Sequence, residues 1–177
     1  MKKVVDCRDS IVNSITSIPP GPPHLSIYTM QASPSNERNI LRKLERAMPR
    51  HQPLELRALG TAMFTDYATH QDDVLVAKVR RTDELFSVHL HVANMMQDYV
   101  EETGFPQLTP SQQQMVAEYG SPYAGFLYRP HVTIARVRER PDIDIEGSWT
   151  SGEIVLARKD DTGWWENIGI YNLGKQF

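Results

Sequence analysis

Two short stretches of the chain carry one pattern, and nothing else in the sequence restricts the fold as much. Pro23-His24-Leu25-Ser26-Ile27 and Pro130-His131-Val132-Thr133-Ile134 each run proline, histidine, aliphatic residue, hydroxyl residue, isoleucine. Both are rich in β-formers and are read as strands. Along a strand, alternate side chains share a face. Each stretch therefore sets an imidazole and a hydroxyl side by side, and turns Leu25 and Ile27, or Val132 and Ile134, to the other, buried face. Each also precedes a set of further helix and strand elements. Two equivalent strands placed this way are what a fold of two pseudo-equivalent lobes produces.

The rest of the chain alternates helix and strand signals. Residues 4–17 are predicted to form a short helix anchored by Val5, Ile11 and Ile15. Ile18-Pro-Pro-Gly-Pro-Pro23 cannot be helix or central strand and is read as a stiff connector. Residues 1–23 thus form an N-terminal segment, and residues 24–177 one domain of two pseudo-symmetric lobes. His24–Met30 reads as a strand. Ser33-Pro-Ser-Asn-Glu37 opens a helix over 35–48 with Ile40, Leu41, Leu44 and Met48 at helical spacing, which Pro49 and Pro53 end. Strands are expected at 54–64, interrupted at Gly60, and at 74–79 after a turn at Asp72-Asp73. Thr82 opens a second helix over 83–101. Residues 104–122 are loop-like, with a short capped helix starting at Thr109. A strand at 127–137 and a hairpin of 153–158 with 165–171 complete the order. This order predicts an α+β fold in which antiparallel sheets form a central groove and helices lie outside.

Composition narrows the chemistry. The single cysteine, Cys7, excludes an intrachain disulfide and Cys-rich zinc sites. A net charge of −3 gives no strong positive field to hold long duplex nucleic acid. No apolar run is long enough to span a membrane. The basic start is interrupted by Asp6 and Asp9, so it does not read as a secretory signal, and a cytoplasmic protein is expected. That leaves six histidines as the side chains best suited to chemistry near neutral pH.

The paired motifs suit one reaction class. Breaking a phosphodiester needs a base to activate the attacking oxygen and an acid to protonate the leaving one, and two histidines on opposite sides of one phosphorus supply both. Ser26 and Thr133 can donate hydrogen bonds to the non-bridging oxygens, where charge accumulates. No metal or other cofactor is required. A single His-X-Ser/Thr arises by chance; two copies with matching flanks are a much stronger signal. Strand parity places Tyr28 on the side of His24, and Arg129 on the side of His131. Tyr28 is then a candidate for stacking on a base and Arg129 for pairing with phosphate. In the last strand Ile168 and Ile170 read as the buried face, which turns Trp165 and Tyr171 toward the groove and makes Trp165 a candidate stacking platform. Tyr123, with Phe126 near it, is a candidate lid residue. His89 and His91 point about 200° apart on a helix and cannot chelate one ion together, so His89 is expected at the core edge and His91 exposed. His51 and His70 sit in polar turns and carry no motif.

On these two motifs the chain resembles the 2H phosphoesterase superfamily, the LigT-like and 2′-5′ RNA ligase-like group. Its mark is two His-X-Ser/Thr-X motifs, one in each lobe of a duplicated α+β fold, with the active site in the groove between the lobes. The resemblance runs from about residue 22 to 174, and beyond the motifs it rests on element order. It implies that His24, Ser26, His131 and Thr133 are catalytic. It also implies a substrate drawn from 2′,3′-cyclic phosphates, 2′-5′-linked oligonucleotides or cyclic oligonucleotide signals, the last as in some phage proteins. Such small, nucleotide-like partners agree with the weak net charge. The alternative is a non-catalytic module that binds a nucleotide or RNA end in the same groove. Which histidine is acid and which base, and the oligomeric state, stay open. The chain departs from the family in lacking a clear initial strand and in the length of the 104–122 segment.

Overall fold

The computed structural model describes residues 15–17, 23–65, 73–101, 108–160 and 165–174. Among these are three α-helices, α1 (Glu37–Ala47), α2 (Asp83–Met96) and α3 (Pro110–Tyr119). The strands are β1 (Ile15–Ser17), β2 (Leu54–Thr65), β3 (Asp73–Val79), β4 (His131–Val137), β5 (Glu146–Ser151), β6 (Glu153–Lys159) and β7 (Trp165–Asn172). The fold is α+β, as expected. Its five-stranded sheet, in the order β1-β4-β3-β2-β5, is antiparallel throughout and curls into a half-barrel groove; β6 and β7 form a second antiparallel sheet.

One face of the large sheet is the core. Leu54, Leu56 and Ala58 of β2, Leu75, Ala77 and Val79 of β3, and Val132 and Ile134 of β4 pack there against two helices. Helix α1 contributes Ile40, Leu44 and Ala47, and α2 contributes Leu85, Val88, Val92 and Met96. Each stripe recurs at the three- or four-residue spacing of one helix face. Full burial of each large aliphatic side chain is worth about 1.5–3 kcal/mol. Helix α2 starts where Thr82 accepts the Leu85 N–H at 3.2 Å, with Asp83 and Glu84 in its first turn facing the positive end of the helix dipole. Helix α3 opens on a capping box between Thr109 and Gln112, with Pro110 at its first position.

Gly60 does not interrupt β2. The strand pairs with β3 on both sides of it, with a register shift between Ala58 and Thr61. Its φ of +90° is one that a side chain rarely tolerates, so glycine makes this bulge possible.

Several expectations change. The helix predicted at 4–17 falls mostly outside the described residues, and 15–17 form β1 instead. His24–Met30 is not a regular strand: it joins the sheet at one isolated bridge, Leu25 to Val132. The strand expected from 127 begins at His131, after a 3-10 turn at Gly125–Leu127. Helix α2 ends at Met96 and tightens to a 3-10 turn over Gln97–Tyr99. In β7 the faces are reversed: Tyr171 is buried, while Ile170 is 59% exposed. The cause is at Gly169, where a Cβ would come within 2.6 Å of the Tyr171 hydroxyl and 2.9 Å of Leu41. The inner position has to be empty for α1 to approach, and the isoleucines on either side of it are displaced from the core face. Among the described residues, no helix is long and apolar enough to cross a membrane.

Candidate active-site face

The Leu25–Val132 bridge is antiparallel and joins the two motifs directly. Its register sets His24 beside Thr133 and Ser26 beside His131, because antiparallel neighbours of a bridged pair oppose one another. Val132 is fully buried and Leu25 packs against the core. His131 and Thr133 therefore project from the opposite face of β4, with Ser26 and His24 next to them in register. His24 and Ser26 are exposed, and His131 and Thr133 half-buried.

The same face carries residues from the neighbouring strands. Lys78 of β3 pairs with His131, Val76 with Thr133, and Val74 with Arg136. Directly opposed residues of an antiparallel pair share a face. Lys78 and Arg136 thus flank the second motif. Phe64 of β2 pairs with Val74 and sets its ring edge-on to His131, with centroids 4.9 Å apart. Lys78 also borders a recess of about 520 Å³, lined further by Leu59, Thr61, Arg140, Asp142 and Asp144. Neither Lys78 nor Phe64 was legible as a site residue, because nothing local marks them; only the register of β3 on β4 and β2 on β3 brings them to His131.

His131 is oriented by its own backbone. Its Nδ1–H donates to the Arg129 carbonyl at 2.7 Å. In the neutral ring this leaves Nε2 as the acceptor, the state a general base needs. The Arg129 side chain is exposed, but it precedes the strand, so strand parity does not fix its direction.

Behind the motifs lies a buried aromatic stack. His89 of α2, expected at the core edge, is only 1% exposed. Its ring lies 3.9 Å from that of Tyr128 at an interplanar angle of 3°. His89 Nδ1–H donates to the Ile27 carbonyl at 2.7 Å, and Nε2 accepts the Gly125 N–H at 3.0 Å. Burial lowers its pKa below 6.5, the Ile27 bond opposes that shift, and Arg81 adds to it. Tyr128 donates its hydroxyl to the Ser26 carbonyl at 3.3 Å. Burial raises the pKa of Tyr128 strongly.

The candidate substrate contacts fall in different places. Tyr28 is half-buried, donates to the Tyr119 carbonyl at the end of α3, and has its pKa pushed up to about 12 by burial. Tyr123 and Phe126 are 58% and 54% exposed, in the segment between α3 and the second motif. Trp165, 46% exposed, starts β7, whose sheet packs on α1 rather than beside β4. His51 and His91 come together, with Nε2 of one 2.7 Å from Nδ1 of the other. This corrects the reading of His91 as exposed, since it is half-buried, while His51 lies in a turn as expected. Among the described residues, no three His, Cys, Asp or Glu side chains gather as a metal-ligand group.

No family model matches the chain, and no curated protein does. Among solved structures it is similar to TT0787 of Thermus thermophilus, with a TM-score of 0.68 at 15% identity, over 99% of this chain and 92% of that one. At that identity the likeness is one of fold. The chain shares an architecture with TT0787 over nearly its whole length, and its own residues have to carry the argument for chemistry.

Proposed function

We propose that the protein is a 2H-type, metal-independent phosphodiesterase acting in the cytoplasm on a small nucleotide. The bond cleaved is a 2′,3′-cyclic phosphate, a 2′-5′ linkage or a linkage of a cyclic oligonucleotide. The observation that supports this most is the antiparallel Leu25–Val132 bridge, whose register sets His24 opposite Thr133 and Ser26 opposite His131. His131 Nε2 takes a proton from water as the water oxygen bonds to phosphorus. The bond from phosphorus to the leaving oxygen breaks, and the imidazolium of His24 gives that oxygen a proton. The His131–Arg129 hydrogen bond fits the base role, since it leaves Nε2 unprotonated in the neutral ring, and it fits the acid role equally once the ring is protonated, so exchanging the two histidines gives the same chemistry. Ser26 and Thr133 donate to the non-bridging oxygens, and the Lys78 ammonium offsets the charge that develops there. Tyr28, Arg129, Tyr123 and Trp165 are the candidates for holding the rest of the substrate.

The test is a panel of 2′,3′-cyclic mononucleotides, 2′-5′ oligoadenylate and cyclic di- and trinucleotides, assayed with EDTA. His24→Ala and His131→Ala should each lower kcat by about 10²–10⁴-fold, the range for a lost general acid or base. Full activity in either variant would sink the mechanism. Binding of a cyclic phosphate with no turnover by the wild-type protein would favour the non-catalytic alternative.

A further inference from the structure

We infer that His89 is a positioning residue that holds both motif segments in one register, an inference that rests on the phosphodiesterase reading above. The ring is pinned from two sides. Ile27, next to Ser26, accepts from Nδ1–H at 2.7 Å. Gly125, in the 3-10 turn before the second motif, donates to Nε2 at 3.0 Å. The bonds fix one neutral tautomer, and both ring nitrogens are satisfied although the residue is 1% exposed.

Two further bonds carry the constraint to the motif residues. Tyr128, stacked on His89, donates to the Ser26 carbonyl at 3.3 Å. Arg129, the next residue, accepts from His131 Nδ1 at 2.7 Å. One imidazole thus sits between the segment that presents His24 and Ser26 and the segment that orients His131. The first motif joins the sheet at one isolated bridge, so the bond to Ile27 adds a tether to its segment beside that bridge. An apolar ring here would fill the same space without the desolvation burden of two buried polar nitrogens. The position is therefore built for its hydrogen bonds rather than for packing alone.

The two bonds can be separated by substitution. His89→Asn keeps a donor near Nδ1 and loses the link to Gly125. His89→Gln keeps an acceptor near Nε2 and loses the link to Ile27. His89→Phe keeps the stack and loses both. Misplacement of a catalytic group by about 1 Å costs about 10²-fold. His89→Phe should accordingly lower kcat by about 10- to 100-fold while KM changes less than about threefold. Asn and Gln should each recover part of that loss. In imidazole NMR spectra His89→Asn should shift His131 more than His24, and His89→Gln the reverse. Tyr128→Phe, which removes the Ser26 link and keeps the ring, should lower kcat less. It and the NMR shifts remain informative if His89→Phe does not fold. Activity within twofold of wild type in the folded His89 variants, or unmoved His24 and His131 signals, overturns the inference. His131→Ala is run beside them: if it stays active the phosphodiesterase reading fails, whereas an inactive His131→Ala with active His89 variants removes only the positioning role.

Discussion

Replacing Gly60 by alanine should destabilise the protein through two separable effects. At φ +90° the new methyl group is strained, at roughly 1–2 kcal/mol. The methyl would also lie 2.5 Å from Asp144 Oδ1, so the carboxylate has to move. That carboxylate accepts the Thr61 N–H at 3.1 Å, while the Thr61 hydroxyl donates to the Ile143 carbonyl at 2.6 Å and the Gly60 N–H to the Ile145 carbonyl at 2.9 Å. The bulge thus clamps residues 143–145, which lead into β5. Asp144 is exposed, so loss of its bond should cost about 1 kcal/mol, below the range for fully buried charged acceptors. Reduced freedom of the unfolded chain returns roughly 0.4–1 kcal/mol. The net is about 2 kcal/mol, or a Tm lower by about 4–8 °C for a domain of this size. Denaturant unfolding of wild type, Gly60→Ala, Asp144→Ala and the double variant isolates the contact. With the carboxylate gone, the alanine should cost about 1 kcal/mol less than it does in wild type. Equal cost in both backgrounds would refute the clamp, and a loss below about 0.5 kcal/mol for Gly60→Ala would refute the strain as well.

Lys78→Gln should lower kcat/KM by about tenfold, the lower end for a charge-assisted contact, with the loss shrinking as salt screens the site. Lys78→Arg should retain most of the activity; a salt-independent loss in both variants would count against a phosphate contact. Stability should fall as pH drops below about 6.5. His89 is held neutral by burial, and His51 by burial and by the His91 charge, so the unfolded chain takes up the protons that the folded one refuses. The stabilisation is complete above the unfolded value of 6.5 and is lost as pH falls below it. His89→Asn should flatten the slope of stability between pH 7 and 5; an unchanged slope would show that other groups carry it.

The two histidine motifs were legible because their pattern is local: a proline, alternating faces and a hydroxyl two residues from the imidazole. The helices were legible for the same reason, with Ile40 and Leu44 four residues apart, and Thr82 and Thr109 as caps. What escaped was set by partners distant in sequence. Strand β5 reads Glu-Gly-Ser-Trp-Thr-Ser, with no apolar alternation, and it exists because it completes the edge of β2. Arg129 was placed by extending a strand that starts only at His131. Ile170 looked like a core residue, but the approach of Leu41 to Gly169 decides which face is inner. Lys78 carries no signal of its own, and the meeting of His51 with His91 depends on how the end of α1 lies against α2.

The bridge between Leu25 and Val132 has a kinetic consequence. Local elements such as α2 can form before any long-range contact, whereas a pairing between such distant residues bears a larger loop-closure cost. The proposed site is complete only when this late pairing is made. Activity should therefore recover after the bulk of the helical signal during refolding, and a chain arrested before that closure would be compact yet inactive.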